Sequence, residues 1–194
     1  MTTTHSVWIS LFSRVIPTVL SITALLAVSQ GHSPHYAAYA AAVPRCADTE
    51  LAVSVAAAQG GLGHAGMVIH YRNVSATTCS LSGYPEIIGL NFTTGKSRAA
   101  GRIRNGYLGG WTGYVNKKVR SLPLVVLLAQ HGVASSMVQW ADCATAQQKG
   151  CTVLASLWVN TPNSDRPFAI KSWMLVHGYF DATPIVPGNT GSAD

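Results

Sequence analysis

From Leu51 onward, hydrophobic and polar positions alternate in short runs. Met67, Ile69 and Tyr71 fall on one face while His70 and Arg72 fall on the other, the period-two pattern of a half-buried strand. Leu51, Val53 and Val55 repeat it and end at the Gly60-Gly61 turn, and Ile87 to Phe92 ends at Thr94-Gly95. Val133 to Trp140 and Val153 to Val159 alternate as well, and the loop between them predicts a hairpin. Leu124 to Leu128 is a continuous apolar run behind Pro123, a residue suited to the start of a strand. Ala182 to Pro187 predicts an edge strand, because its prolines cannot donate to a central ladder. No segment carries a long helical period. Six or seven such strands in about 140 residues predict an all-β fold, an immunoglobulin-like antiparallel β-sandwich.

One region breaks this rhythm. From Lys96 to Arg120 the chain carries Lys96, Arg98, Arg102, Arg104, Lys117, Lys118 and Arg120 without a single acid. Tyr107, Trp111 and Tyr114 stand among five glycines in the same stretch. Such a segment reads either as a long solvated connection or as a patch for anionic or sugar-bearing surfaces. In the second reading Arg98, Arg102, Arg104, Lys117, Lys118 and Arg120 act as anion ligands, and Tyr107, Trp111 and Tyr114 give flat contact area.

Outside the strands, Arg14 precedes an apolar run from Val15 to Val28, the shape of a signal peptide. The run is shorter than the ~20 residues a span needs, and Pro17, Ser21 and Thr23 weaken it further. Small-residue cleavage sites come late, at Ala38-Tyr39-Ala40 and Ala40-Ala41-Ala42, so an uncleaved anchor is the alternative. Arg45 directly before Cys46 does not fit a lipid-attachment site. The expected organisation is a signal segment and linker over 1–42, a sandwich over 43–188 and a flexible tail over 189–194. That places the protein outside the cell or in its envelope.

Export gives the four cysteines a meaning. An even number in an exported chain implies disulfides, and four allow three connectivities. Cys143 and Cys151 bracket a short polar loop that closes most easily on itself, which leaves Cys46 with Cys79. Loop closure would contribute about 3.5 kcal/mol for the longer bridge and about 2.5 kcal/mol for the shorter. Buried free thiols are the alternative.

The stretch Gly63-His64-x-Gly66, a strand ending in Asn73, then Cys79-x-Leu81-x-Gly83-Tyr84-Pro85 resembles the domain of unknown function 4232 family, found in exported actinobacterial proteins. Cys46 supplies the family's early cysteine. The turn Val126 to Gly132 matches its Val-x-Leu-x-Pro-Gly turn, with His131 where the family usually has proline. The resemblance spans roughly Cys46 to Pro187. It implies an exported β-sandwich, and it brings no catalytic residues.

The chemistry-bearing residues narrow the choice of function. The chain has no Gly-x-Ser-x-Gly elbow, His-Glu-x-x-His, phosphate loop or Cys-x-x-Cys. Its seven acids are too scattered for sequence to bring two together as an acid/base pair. His64 and His70, six residues apart on one strand, would lie about 20 Å from each other, too far for one metal. The expectation is a non-catalytic binding module, monomeric and without cofactor or metal, with a secreted hydrolase of unrecognised type as the alternative. A net charge of +6 points to anionic lipid or a cell-wall polymer, and export argues against nucleic acid.

Overall fold

The computed structural model describes residues 43–115, 118–119 and 124–193, with the backbone alone at 114, 115, 118 and 119. The expected signal segment lies outside them, as do Lys117 and Arg120. A short 3-10 turn, Asp48–Glu50, precedes β1 (Leu51–Val55), β2 (Gln59–Gly61), β3 (His64–Asn73) and β4 (Cys79–Ser82). Then come β5 (Glu86–Asn91), β6 (Lys96–Ala99), β7 (Gly101–Arg102), β8 (Tyr114–Val115) and β9 (Lys118–Val119). The chain closes with β10 (Val125–Leu128), β11 (Val133–Asp142), β12 (Thr152–Asn160), β13 (Phe168–Ala182) and β14 (Val186–Pro187). Among the described residues no helix is long and apolar enough to cross a membrane.

The large sheet runs β1-β3-β11-β13-β12-β5-β6, with β2 on β3, β14 on β11 and β7 on β13. Its pairings are antiparallel except β7 with β13. A small antiparallel sheet pairs β10 with β4. The core joins them: Ile69, Tyr71, Val138, Leu154, Leu157 and Val176 of the large sheet pack with Cys79, Leu81, Val126 and Leu128 of the small one. The result is all-β and sandwich-like. Alternation contributes to this directly in strands such as β10 and β13, which bury every second side chain in that shared layer.

One expectation fails here because a strand intervenes that the pattern did not predict. The hairpin expected between 133–140 and 153–159 does not form, because β13 lies between β11 and β12. β13 itself escaped the periodicity. Its register shifts opposite Trp140 and Ala141, which pair with Phe180 and His177, so Gly178 and Tyr179 form a bulge. Gly178 takes the left-handed φ of 63° there; Met174, Val176, Phe180 and Ala182 keep one buried face across the bulge, but Ser172 and Gly178 interrupt its apolar run. Exposed Trp173 on the solvent side further blurs the pattern.

β11 is buried on both faces from Ala134 to Trp140. One face joins the main core. The other is covered by the 104–113 segment and the C-terminal residues, where Trp111, Val186 and Ala193 form a second small core. The tail expected to be flexible is therefore tied down. Gly188 N–H donates to Val133 O at 3.1 Å, Gly191 N–H to Ser135 Oγ at 2.9 Å and Ala193 N–H to Gly110 O at 3.1 Å.

Both disulfides close, Cys46–Cys79 and Cys143–Cys151, and no described cysteine is free. The first anchors the chain before β1 along β4, where Cys46 N–H donates to Ser80 O and Ser80 N–H to Pro44 O. The second closes the exposed loop after β11.

Asn73, fully buried at the end of β3, uses every hydrogen-bonding position of its amide. Nδ2 donates to Thr77 O at 2.7 Å and Leu128 O at 2.8 Å, while Oδ1 accepts from the N–H and hydroxyl of Ser75, both at 2.8 Å. Its own N–H donates to Gly132 O, and its carbonyl accepts from His131 N–H. His131 makes that bond at φ 62°, which a proline could neither adopt nor donate from.

Asn73→Ala is expected to cost about 3 kcal/mol, since it strands the buried Leu128 carbonyl of the small sheet and releases the 74–78 turn. Asn73→Asp keeps the shape but turns a carboxylate onto two carbonyls. Its folded-state pKa should rise, so the penalty grows as pH climbs through about 4 and shrinks below it. Urea unfolding at pH 7 and pH 4 measures both, and an Asp variant as stable as wild type at pH 7 would refute this role.

Candidate functional site

The basic-aromatic segment is partly woven into the fold. Lys96–Ala99 pairs with β5, Gly101–Arg102 pairs with β13, and Ile103 N–H donates to Ala182 O at 3.0 Å. The chain then doubles back. Trp111 N–H donates to Arg104 O at 2.8 Å, Asn105 bridges Gly110, and Gly106 N–H donates to Gly109 O at 2.9 Å. Tyr107 and Leu108 occupy the tip of this tight hairpin. Gly110 permits it, because a Cβ there would approach Arg104 O to 2.7 Å at a φ of 132°.

The tip rests on the start of β3. The His64 ring stacks on Tyr107, with centroids 3.8 Å apart and planes 16° off parallel. Leu108 sits over Gly66, where a Cβ would meet Leu108 Cδ1 at 2.8 Å and Val138 O at 2.9 Å. From β11, Gln139 Oε1 accepts from Leu108 N–H at 3.3 Å, and a Cβ at Gly106 would overlap the Gln139 side chain. The Gly63-His64-x-Gly66 motif is thus the seat of the hairpin. Gly63 turns the chain at φ 80°, His64 stacks, and Gly66 leaves room.

From β13, Tyr179 brings its hydroxyl within 2.8 Å of His64 Nδ1. Desolvation, helped by Tyr107 and the Asp181 carboxylate, raises its pKa above the ordinary tyrosine value. The Tyr179 hydroxyl therefore stays protonated, and it shares one hydrogen bond with His64 Nδ1. Two cavities share Tyr107. A groove of about 330 Å³ is lined by Gly61, Leu62, His64, Tyr107 and Leu108, and a slot of about 280 Å³ by Ile103, Gly106, Tyr107, Gln139, Tyr179 and Asp181. Gln139 is buried, and its Nε2 has no hydrogen-bond partner.

The residues expected to bind ligand separate on inspection. Tyr107 is 74% exposed. Arg102 and Arg104 are exposed, with the Arg102 guanidinium 5.9 Å from the Tyr84 ring centroid. Arg98 is half-buried and donates to Gly178 O. Trp111 corrects the expectation: it is buried under the C-terminal segment and offers no face to a ligand. Tyr114 and Lys118 stand on the β8–β9 ribbon, and Lys117 and Arg120 lie outside the described residues. Sequence reasoning missed Gln139, Tyr179 and Asp181 as members of this site and weighed His64 only as a metal ligand. The glycine at 106 was the available signal, since close approach of another chain is one reason for glycine in a loop.

A separate groove of about 370 Å³ holds Ser54, His70 and Arg72 on the outer faces of β1 and β3. His70 Nε2 bonds Asn189 O at 2.9 Å, and no carboxylate lines the groove. Among the described residues, no three His, Cys, Asp or Glu side chains gather as metal ligands.

The family model described as Domain of unknown function (DUF4232) matches residues 46–186, and the chain belongs to that family. No curated protein and no solved structure matches it.

Gly66→Ala should cost about 1–3 kcal/mol through overpacking against Leu108 and β11. Tyr107→Ala should change stability by less than about 1 kcal/mol, as exposed substitutions do. Thermal melts of the two variants test this, and a Tyr107→Ala loss as large as that of Gly66→Ala would make the ring a packing element.

Proposed function

We propose that this DUF4232 member is an exported or envelope-associated, non-catalytic binding module on an immunoglobulin-like sandwich. It engages anionic surface components, lipid or cell-wall polymer, through the face around the 104–111 hairpin. The observation carrying this reading is Tyr107. The protein spends a stack, a glycine seat and a buried glutamine to fix the tip of a hairpin, yet leaves its aromatic ring in solvent. Exposed Arg102 and Arg104 on the same segment supply anion contacts. Export is supported by the Arg14 and Val15–Val28 pattern and by the disulfides, which persist in oxidising compartments.

A non-catalytic role fits the histidines. His64 is committed to Tyr179 and His70 to Asn189, and catalysis by a serine would need a base free to take its proton. Ser54 pairs with His70 across β1 and β3, but no acid lines their groove to orient the imidazole.

Binding to vesicles containing anionic lipid should weaken steeply as the Debye length shrinks toward about 8 Å at physiological salt. Replacing Arg102, Arg104, Lys117 and Lys118 with glutamine should weaken it further while leaving the melting temperature near wild type. Equal co-sedimentation of wild type and the four-fold variant would reduce the segment to a connection.

A further inference from the structure

We propose that the groove on the outer faces of β1 and β3 captures the C-terminal carboxylate of a peptide ending in small aliphatic residues, with Arg72 as its anion ligand. The groove shares no lining residue with the two cavities around Tyr107, so its ligand is separate from the one proposed above.

The strands set the floor. Ser54 stands opposite His70 and Ala52 opposite Arg72, while Val133 of β11 flanks Arg72 on its other side. All five line one groove of about 370 Å³, within the roughly 300–1,000 Å³ usual for ligand sites. Asn189 completes the lining. It belongs to a segment fixed on β11 by Gly188 N–H on Val133 O and Gly191 N–H on Ser135 Oγ.

Three observations point to a carboxylate. First, Arg72 is exposed between two apolar neighbours, and no acid lines the groove. A cross-strand acid is the usual partner for such a charge within a sheet. Here the guanidinium fork is open to solvent, and a planar carboxylate matches it with two parallel bonds. One permanent cation also balances one carboxylate, whereas a phosphate dianion would keep a net charge. Second, His70 Nε2 bonds Asn189 O at 2.9 Å. A carbonyl oxygen only accepts, so Nε2 carries a proton and Nδ1 is the atom left for a ligand. Protonation of Nδ1 adds a donor and a second positive charge beside Arg72. The groups facing the ring are Ser54 from β1, Arg72 from β3, Ser135 from β11 and Asn189 from the C-terminal segment, and none is an acid. Third, Ala52 and Val133 are small and apolar beside the arginine, which suits a short aliphatic side chain next to the carboxylate. The exposed Asn189 carboxamide can bond the peptide amide that precedes it. The hydroxyls of an acidic sugar would find no such match on Ala52 and Val133.

The test is titration of the isotope-labelled protein with acetyl-alanyl-alanine at fixed ionic strength, followed by the backbone amides of Ala52, Ser54, Arg72 and Asn189. The controls are the same peptide ending in a carboxamide, acetate, and glucuronate, which carries its carboxylate on a sugar. Saturable shifts at those four residues are expected at pH 6, with a Kd of about 1–10 mM and each control at least about ten-fold weaker. Affinity should rise several-fold from pH 8 to pH 5.5, a range in which a C-terminal carboxylate of pKa about 3.5 stays ionised. His70→Gln should remove that rise. Arg72→Gln should weaken binding by about ten-fold or more while leaving the melting temperature near wild type. Glutamine at both Arg102 and Arg104 should leave the affinity unchanged, which separates this groove from the hairpin face. No saturable shift up to about 50 mM peptide overturns the proposal, as does equal binding of any control. So does an affinity that ignores pH or Arg72→Gln, or one that falls in the Arg102 and Arg104 variant.

Discussion

The amide of Asn73 is the constraint on which the rest of the structure depends. A sandwich of one long sheet and one short one has only side-chain packing to hold the layers in register, and packing is tolerant of small slips. Hydrogen bonds are not. Asn73 ends β3 in the large sheet, reaches Leu128 in the small sheet and holds the 74–78 turn through Ser75 and Thr77. Its backbone fixes the turn into β11 through His131 and Gly132. The Cys46–Cys79 bridge clamps the other end of the same corner. Because the amide is buried with all its positions used, any slip of β10 against β3 breaks several bonds away from water. That ties the end of β3, whose ladder with β11 runs back to His64 nine residues earlier, to the small sheet.

What could be read from the chain followed from local rules. The faces of β3 were legible because Met67, Ile69 and Tyr71 alternate without interruption. So were β1, β5, β10, β11 and β12, and the spacing of Cys143 and Cys151 marked a short closed loop. β13 was not legible, although it is the longest strand and lies in the middle of the large sheet. Its buried face takes every second residue from Phe168 to Ala182, but Ser172 and Gly178 interrupt it, and Trp173, Leu175 and Tyr179 put apolar groups on the opposite face. Missing β13 then produced the wrong neighbour for β12, since the long connection between them in space was hidden. The tail misled for a different reason. Gly, Asn, Thr and Ser after Pro187 look loose by composition, but backbone hydrogen bonds to β11 do not depend on composition.

The candidate site was half legible on the same terms. Composition singled out Lys96 to Arg120, and the segment does carry the exposed tyrosine and two exposed arginines. The residues that surround the hairpin tip arrive from elsewhere: His64 from β3, Gln139 from β11, Tyr179 and Asp181 from β13. Each is unremarkable in its own strand. Tyr179 stands in the bulge of β13 opposite Trp140 and Ala141. Trp111 shows the converse, an aromatic in a suggestive loop whose duty is to roof β11.

The covering of β11 explains why this hairpin can serve as a fixed platform. A glycine-rich loop of this length would ordinarily fluctuate, and ordering it on binding would subtract from affinity. Here the ordering has already occurred during folding. Trp111 and Ala193 close one side, Leu108 fills the space over Gly66, and Gln139 holds the tip from below. The C-terminal residues are therefore part of the site without touching it. Gly191 and Ala193 keep Trp111 seated, Trp111 fixes Arg104 through its N–H, and Arg104 opens the hairpin that ends in Tyr107. Rigidity is inherited along that path, from a tail that composition marks as expendable to a ring that solvent can reach.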